Sequence, residues 1–395
     1  MREGDRPQRI ARDAVCFLLL CSLCSIVKTV AAQEAQRTPA EATSDWQPMF
    51  NGRDLSEWEL VNTPAETWSF QDGMLICSGK PIGEIRTKRM YQNFEMEIEW
   101  RHMVPGGNAG IFVWADDITA RGVPFHRGIE VQVLENAYGN TQNHTTHGDI
   151  FPIHGADMTP VNGRGGKRAF PTAERSRPSP EWNHYRIVCE NGNISLAVNG
   201  EVVTRGKNAS PRKGYICLES EGGVVHYRNA RIRQLPSPEL DPKFVATVDR
   251  GYRSLYSGLD LRGWKSVAPS AWQAKDWILA FDGNVSARES GLETEQSLEI
   301  QGLVLDFRFL ENSESLAVEL PGASKPLIFS STSQTPFTLL LEKPGNWNRV
   351  ECTVESSVLQ MLVNGKPIQV DQQLRTGKLA IRPIGPVELA NIYVR

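Results

Sequence analysis

Short runs of alternating apolar and polar residues dominate the chain after residue 45. The segment NFEMEIEWRH (93–102) alternates aromatic and aliphatic residues with charged ones. Because successive side chains of a strand point to opposite faces, this period of two predicts a half-buried strand. The segment HYRIVCENGNISLAVNGEVV (184–203) alternates in the same way around two Asn-Gly pairs, which favour hairpin turns. The pattern predicts an all-β chain of antiparallel two-sheet sandwiches of jelly-roll type.

An internal repeat divides the chain into two halves. MFNGRDLSEWEL (49–60) returns as LYSGLDLRGWKS (255–266), and EWNHYRIVCENGNISLAVNGEVV (181–203) returns as NWNRVECTVESSVLQMLVNGKPI (346–368). The offset falls from 206, between Trp58 and Trp264, to 165, between Trp182 and Trp347, so the second copy lacks about 40 residues. We therefore expect two tandem sandwiches, over residues 46–235 and 251–395, joined by a proline-containing linker at 236–250.

The N-terminus has the three regions of a secretory signal. Arginines at positions 2, 6, 9 and 12 precede the apolar run AVCFLLLCSLCSIV, and small residues follow at 30–32. We expect a signal peptide over residues 1–32, a polar linker over 33–45, and export to the periplasm or the extracellular space. The alternative is a membrane anchor, but an apolar run of about 14 residues is short for a span, which needs about 20. No later segment has the pattern of a membrane span.

Composition narrows the classes of partner. The 395 residues carry a formal charge of −3, which supplies no broad positive field. We therefore do not expect nucleic acid or an anionic membrane as a partner, whereas a neutral or small polar ligand fits this balance better. The sequence does not indicate the oligomeric state.

Four of the seven cysteines lie beyond the predicted signal: Cys77, Cys189, Cys217 and Cys352. Each lies in an apolar, strand-like stretch, where cysteine packs as a small hydrophobic residue. One disulfide among them is the alternative.

A region of 44 residues rich in Gly, Pro, His and Asn (137–180) follows the strand pattern RGIEVQVLEN. Segments of this length inside a compact domain usually bind a ligand or are disordered. All seven histidines of the chain lie in the first copy, and the second copy has none. Because a residue type needed only for folding should occur in both copies, this asymmetry indicates a functional site in the first copy.

Several ordered motifs of the first copy resemble a known family. GEIRTKRMYQNFEMEIEWRHMVPGGNAGIFV (83–113), GIEVQVLEN (128–136) and GYICLESEGGVVHYRNARIRQL (214–235), with the repeat motifs above, resemble the 3-keto-disaccharide hydrolase domain family over about 46–235. The second copy resembles that family only at its ends. The resemblance implies a concanavalin A-like sandwich, export from a bacterial cell, and cleavage of glycosides oxidised to the ketone at sugar carbon 3.

A substrate of this kind defines the chemistry that the site must supply. The ketone acidifies the hydrogen on carbon 2, so a base can remove it, an enolate forms, and the group on carbon 1 leaves. Glu130 and His147 are our candidates for proton transfer. The candidate substrate-binding residues are Gln132, Asn108, Arg101, Asp149, His154, Trp114 and Tyr138. The spacings His144-x-x-His147 and His147-Gly-Asp149 permit a divalent metal ion, but they do not establish that the chemistry requires one.

Two other functions fit the same residues. In a non-catalytic carbohydrate-binding, lectin-like protein, Trp100, Trp114 and Tyr138 would stack on sugar rings, and the polar face with Glu130 and Gln132 would be solvated surface. In a scaffold protein, the second copy would join complexes at the cell surface.

Overall fold

The structure is a computed structural model that describes residues 46–139, 144–145, 148–355, 358–370 and 372–395. The predicted signal peptide (1–32), its linker (33–45) and the candidate His147 lie outside the described residues. Residues Gln47–Arg395 form one compact unit. Apart from strands, its regular elements are short 3₁₀ turns, at Ala65–Thr67, Asn136–Tyr138, Pro242–Phe244, Pro269–Ala271 and Thr338–Leu340. None of the helices in the described part of the chain is long and apolar enough to cross a membrane.

The first half of the unit is a sandwich of two antiparallel sheets. Its strands in chain order are β1 (Gln47–Pro48), β2 (Trp58–Val61), β3 (Trp68–Gln71), β4 (Met74–Cys77), β5 (Gly83–Thr87), β6 (Phe94–His102), β7 (Asn108–Ala115), β8 (Gly128–Leu134), β9 (Ile150–Ile153), β10 (Asp157–Pro160), β11 (Asn183–Glu190), β12 (Asn193–Val198), β13 (Glu201–Ser210), β14 (Tyr215–Ser220) and β15 (Val225–Gln234). The larger sheet has the order β10-β13-β12-β11-β6-β15-β4-β3, with β1 paired to β15. The smaller sheet has the order β2-β5-β14-β7-β8-β9.

The second half repeats this plan with fewer strands among the described residues. These are β16 (Arg253–Ser254), β17 (Trp264–Ser266), β18 (Trp272–Lys275), β19 (Ile278–Phe281), β20 (Leu292–Thr294), β21 (Gly302–Phe309), β22 (Ser315–Glu319), β23 (Leu327–Ser330), β24 (Asn348–Glu355), β25 (Val358–Val363), β26 (Lys366–Gln369), β27 (Ala380–Ile384) and β28 (Val387–Val394). The larger sheet has the order β18-β19-β28-β21-β24-β25-β26, with β16 paired to β28, and the smaller has the order β17-β20-β27-β22-β23.

Each sandwich has its own apolar core between its two sheets. Along β6, the apolar residues Phe94, Met96, Ile98 and Trp100 are buried in the first core. The charged residues between them face outward and pair with arginines of β11 and β15. The predicted all-β fold of two tandem jelly-roll sandwiches is confirmed. The bounds 46–235 and 251–395 stay a prediction, because both sandwiches belong to one compact unit.

The four cysteines predicted to pack as hydrophobic residues are buried and free, so none of them forms a disulfide. Three of them lie on strands β4, β11 and β14 of the first sandwich, and Cys352 lies on β24.

A buried polar network joins the second sandwich to one loop of the first, residues 116–127. At its centre is Asp306 on β21, which is 0% exposed. Its carboxylate accepts hydrogen bonds from the Gly122 amide (2.8 Å), from Arg349 (2.7 and 2.8 Å) and from Asn391 (2.7 Å). Asn391 also donates to the carbonyls of Ala120 and Val123. The loop is therefore held by backbone hydrogen bonds to a carboxylate and an amide that water does not reach.

The predicted linker also packs against the first sandwich. Asp249 forms an ion pair with the buried Arg86 (3.3 Å), and its amide donates to the Tyr215 hydroxyl (2.7 Å). Arg250 pairs with Asp117 at 3.1 Å. These contacts attach residues 249–250 to the same loop that Asp306 holds.

Replacing Asp306 with asparagine should destabilise the protein strongly. The change leaves the largely buried Arg349 without its counter-charge, and breaking a buried ion pair costs about 3–5 kcal/mol. Urea unfolding followed by circular dichroism should show a loss of that order. The matched control is Glu319→Gln, which removes the carboxylate of an ion pair with Arg382 that is about 40% exposed. That change should cost less than about 1 kcal/mol. Similar losses in the two variants would contradict the role given to Asp306.

Candidate active site

One face of the smaller sheet of the first sandwich carries a set of polar side chains. Ile85, Ile111, Val131 and Leu218 of this sheet belong to the apolar core. Because side chains alternate along a strand, their neighbours point away from the core. That opposite face, which we call the polar face, carries Glu84 on β5, Asn108 and Gly110 on β7, Glu130 and Gln132 on β8, and Cys217 and Glu219 on β14, which Glu221 follows directly.

Two carboxyl groups of the polar face converge above Gly110. Gly110 pairs with Gln132 across β7 and β8, and on its other side it lies next to Glu219 of β14. A Cβ atom at position 110 would lie 2.9 Å from Glu130 Oε1 and 3.0 Å from Glu219 Oε2. Because glycine has no side chain, the two carboxyl groups can share the space that a side chain at position 110 would fill.

Amide groups and a third carboxyl group continue this cluster. Gln132 donates to the Asn108 side-chain oxygen at 3.1 Å, and Asn108 donates in turn to Glu221. Glu219 and Glu221 also interact by a side-chain hydrogen bond. Glu130 and Glu219 are 7% and 2% exposed, whereas Glu221 and Asn108 are only partly buried. The cluster is therefore dry at Glu219 and reachable from solvent at Glu221.

Burial and mutual repulsion make these carboxyl groups weak acids. Burial raises the pKa of Glu130 to about 8, the negative charge of Glu221 adds to the rise, and the positive charge of Arg168 opposes it. Burial, followed by the charges of Glu130 and Glu221, raises the pKa of Glu219 well above its usual value. Burial also raises the pKa of Glu221, and its hydrogen bond with Glu219 opposes that rise. At neutral pH the three carboxyl groups therefore carry fewer than three negative charges and share the protons that remain.

Two residues of the long segment after β8, Asp149 and Arg168, form an ion pair close enough to act on Glu130. Asp149 is 0% exposed, and it pairs with Arg168 at 2.9 Å and accepts from the Thr145 amide at 2.9 Å. Arg168 also lies over the Phe151 ring, 3.4 Å from its centroid. Glu130 pairs with Phe151 in the sheet, so Asp149 and Arg168 lie at the edge of the cluster. Asp149 thus links Thr145 and Arg168 of the segment that follows β8. His147 lies outside the described residues. The predicted contact between Asp149 and His147, and a metal ion bound by both, therefore stay predictions.

Two other predicted binding residues, Tyr138 and His154, are exposed. Tyr138 is 47% exposed and makes an edge-to-face contact with His144, with ring centroids 5.5 Å apart. His154 is exposed and stacks on Phe125. Packing of the imidazole against its neighbours removes part of it from water and lowers the pKa of His154, while the charge of Glu84 opposes that change. His154 is therefore closer to Glu84 than to the three-carboxyl cluster in its electrostatic environment.

The structure does not bring Arg101 or Trp114 to the polar face, which corrects the expectation that they bind substrate there. Arg101 is on β6 of the larger sheet, where it stacks on Trp182 (4.5 Å) and faces away from the core. Trp114 is 0% exposed, packs edge-on against Phe94, and donates its indole N–H to the Gln92 carbonyl. The aromatic ring of Trp100 is 1% exposed, so it is likewise closed to a sugar.

Sequence reasoning missed five residues of this face: Glu84, His126, Cys217, Glu219 and Glu221. The last three follow a period of two, which was a usable signal. In the second sandwich, β27 pairs with β20 and β22 as β14 pairs with β5 and β7. By this register, Cys217 and Glu219 correspond to Ala380 and Arg382.

The second sandwich has a counterpart of the Glu130 strand. β23 pairs with β22 as β8 pairs with β7, so Ala317 stands at the position of Gly110 and Ile328 at that of Gln132. Pro326 then precedes β23 at the position of Glu130. The second copy kept the strand and replaced each polar residue on it.

Comparison with protein families assigns the first sandwich. Residues 45–233 match the 3-keto-alpha-glucoside-1,2-lyase-like domain family. The matched residues contain the whole polar face, from Glu84 to Glu221, and the match indicates a carbohydrate-active protein. The predicted resemblance is confirmed.

Comparison with solved structures finds similar chains that span about half of this one. A candidate glycosyl hydrolase from Parabacteroides distasonis is 19% identical, with 50% of this chain and 98% of that chain covered and a TM-score of 0.38. A carbohydrate-binding module from Bacillus subtilis is 12% identical, with coverage of 46% and 98% and a TM-score of 0.33. A β-glucanase from Bacillus licheniformis is 13% identical, with coverage of 48% and 92% and a TM-score of 0.30. No curated protein matches the chain.

Replacing Glu130 with glutamine should stabilise the protein increasingly as the pH rises from 5 to 8. The folded state keeps Glu130 protonated up to a pKa of about 8, whereas the unfolded chain ionises near 4.5, so the wild type loses stability across this window. The glutamine side chain does not ionise, so the variant does not lose folding stability in this way. Urea unfolding at pH 5 and pH 8 should show a gain that is larger at pH 8 by at least about 1 kcal/mol.

Glu95→Gln is the control of opposite sign. Although burial opposes it, hydrogen bonds from Arg186 and Arg233 hold the pKa of Glu95 below its usual value. Its carboxylate therefore stabilises the folded state at neutral pH, and this variant should be less stable at pH 8. A pH-independent effect of Glu130→Gln would show that Glu130 ionises normally in the folded protein.

Proposed function

We propose that the chain is an exported enzyme whose lyase-like domain cleaves 3-keto glycosides by elimination across carbons 1 and 2. The observation that carries this proposal is the meeting of Glu130 and Glu219 above Gly110, beside Glu221, on a largely buried face. The family match supports the substrate class. Elimination next to a ketone needs one group to take a proton and another to give one, and coupled carboxyl groups hold both states at one pH.

Glu221 is the group best suited to take the proton from carbon 2. It is the least buried of the three carboxyl groups, so its charged form loses the least hydration. Asn108 donates a hydrogen bond to it. Glu219, which is more deeply buried, holds its own proton and donates to Glu221. Both donors stabilise Glu221 as the carboxylate that a base must be.

Glu130 is the group best suited to protonate the leaving oxygen. Burial, with the charge of Glu221, raises its pKa to about 8, so it carries a proton at neutral pH. A carboxylic acid kept neutral in this way is the usual form of a general acid. Arg168, whose charge acts on Glu130, is a cation that could stabilise the ketone oxygen as it becomes an enolate. His147 remains a candidate for proton transfer from the sequence alone.

The proposed reaction balances with these groups. The bond from carbon 2 to hydrogen breaks, its electron pair forms the carbon 1–carbon 2 double bond, and the bond from carbon 1 to the leaving oxygen breaks. The base gains one proton and the acid loses one, so a proton passing from Glu221 through Glu219 to Glu130 restores the starting state. Addition of water to the resulting enone would convert the elimination into a net hydrolysis.

Glu130→Gln should lower turnover of a 3-keto disaccharide by about 10²–10⁴-fold, because the amide cannot protonate the leaving oxygen. A 3-keto glucoside with a nitrophenol leaving group needs little protonation and should lose much less. Glu221→Gln should slow both substrates alike, because the base acts on carbon 2 in each. Steady-state kcat/KM for the two substrates, measured by product release, tests this division of roles.

Glu97→Gln is the control for this experiment, because Glu97 pairs with Arg231 on the outer face of the larger sheet. It should keep wild-type activity on both substrates. If the wild type binds saccharides but turns over neither keto substrate, the lectin-like function replaces the enzymatic one.

Gly110→Ala should inactivate the enzyme while leaving it folded. The new methyl group would occupy the space that Glu130 and Glu219 share, and their flexible ends can move away from it. Displacing catalytic groups by about 1 Å can cost about 100-fold in rate. Activity and thermal unfolding should be measured together, with Gly166→Ala in an open loop as the control. An active Gly110→Ala enzyme would show that the two carboxyl groups need not meet.

A further inference from the structure

A second cluster of chemically reactive side chains lies on the polar face beside the three carboxyl groups. Glu84, His126 and Cys217 are each 0% exposed. One ligand-type atom from each lies within 4.8 Å of the others. The proposed elimination uses none of these three residues, so their arrangement needs a separate explanation.

Neighbouring elements position the three side chains independently. Glu84 and Cys217 come from the adjacent strands β5 and β14, where Glu84 pairs with Glu219 and Cys217 pairs with Arg86. His126 comes from the loop that Asp306 holds, and its backbone amide donates to Glu84 Oε1 at 2.9 Å. The guanidinium of Arg86 is turned to the carbonyls of Asp117 and Thr87. Among the described residues, no lysine or arginine forms an ion pair with Glu84.

The distance between the histidine and cysteine ligand atoms is close to that in a tetrahedral zinc site. His126 Nδ1 lies 3.7 Å from Cys217 Sγ. Zinc–nitrogen and zinc–sulfur bonds of about 2.1 and 2.3 Å place two such ligands about 3.6 Å apart. Nδ1 also lies 2.5 Å from Glu84 Oε1, a hydrogen-bond distance that a metal ion would lengthen as it displaces the proton.

A second observation also points to a ligand. The other carboxylate oxygen, Glu84 Oε2, is buried and has no hydrogen-bond partner among the described residues. A buried carboxylate oxygen without a partner is costly, and a bound cation satisfies it. The aromatic and aliphatic side chains around the cluster exclude water: Phe112, Ala115 and Tyr215, with Met90, Phe125 and Ile153 packed against them. This environment strengthens the attraction of the cluster for a cation.

We propose that Glu84, His126 and Cys217 bind one divalent metal ion of the zinc type. A set of one nitrogen, one sulfur and one oxygen donor suits zinc, because magnesium and calcium prefer oxygen donors alone. The second sandwich has Gly291 and Ala380 where the first has Glu84 and Cys217, so only the first sandwich carries the pair. This inference does not depend on the cleavage of 3-keto glycosides, since its test measures metal binding directly.

The test is the metal content and the cobalt spectrum of the full chain. Protein produced with added zinc and dialysed against metal-free buffer should retain about one zinc ion per chain by mass spectrometry of the elements. Protein refolded with cobalt should show the near-ultraviolet charge-transfer band of a thiolate–cobalt bond. Cys217→Ser should lose that band and bind zinc at least 10-fold more weakly.

Cys352→Ala is the matched control, because Cys352 is another buried free cysteine and lies in the second sandwich. It should keep both the zinc and the band. Wild-type protein that retains no zinc after refolding with an excess of the ion overturns the proposal. A Cys217→Ser variant with wild-type zinc content and spectrum also overturns it. If the serine variant does not fold, His126→Gln is measured against the same wild-type spectrum.

Discussion

Burial of carboxyl groups on one face of a β-sheet is the constraint on which the rest of this structure depends. Glu84, Glu130 and Glu219 are between 0% and 7% exposed, and an ionised carboxylate at such a position costs several kcal/mol unless it is compensated. The fold compensates in two ways. Glu130 and Glu219 stay protonated at neutral pH because burial raises the pKa of each, and Glu84 faces His126. The presence of protonated carboxyl groups at neutral pH is therefore a consequence of the burial of this face.

The loop that lies beside this face, residues 116–127, depends on the second sandwich for its position. The loop 116–127 contributes His126 and leads directly into the strand of Glu130, and its Ile118 packs in an apolar cluster with Val304 and Tyr393 of the second sandwich. Asp306, Arg349 and Asn391 bind its backbone from the second sandwich. A sandwich that has lost the polar face can in this way still determine the geometry of the face in its neighbour.

The sequence predicted the fold from periodicity, because strands with one buried face repeat every two residues and the Asn-Gly turns divide them. It also predicted Glu130 and Gln132, since an acidic residue and an amide between buried aliphatic residues are unusual. It did not predict Glu219 or Glu84, because their importance comes from strands that are distant in sequence and adjacent in the sheet. Trp114 and Arg101 show the reverse problem. Their residue types suit sugar binding, but which sheet face they occupy depends on long-range pairing that no local pattern contains.

The two copies use one shared feature in different ways. In each, an asparagine with positive φ donates to a carboxylate on the central strand of the larger sheet: Asn229 to Glu99 in the first copy and Asn391 to Asp306 in the second. In the first copy this pair lies at the surface beside Arg228. In the second copy Ala390 stands in place of that arginine, and Asp306 is one methylene shorter than Glu99. The Asn391–Asp306 pair therefore lies below the surface, where its polar atoms bind the loop 116–127. The solvated ion pair of the first copy and the docking site of the second thus differ by alanine in place of Arg228, aspartate in place of Glu99, and Arg349 in place of His184.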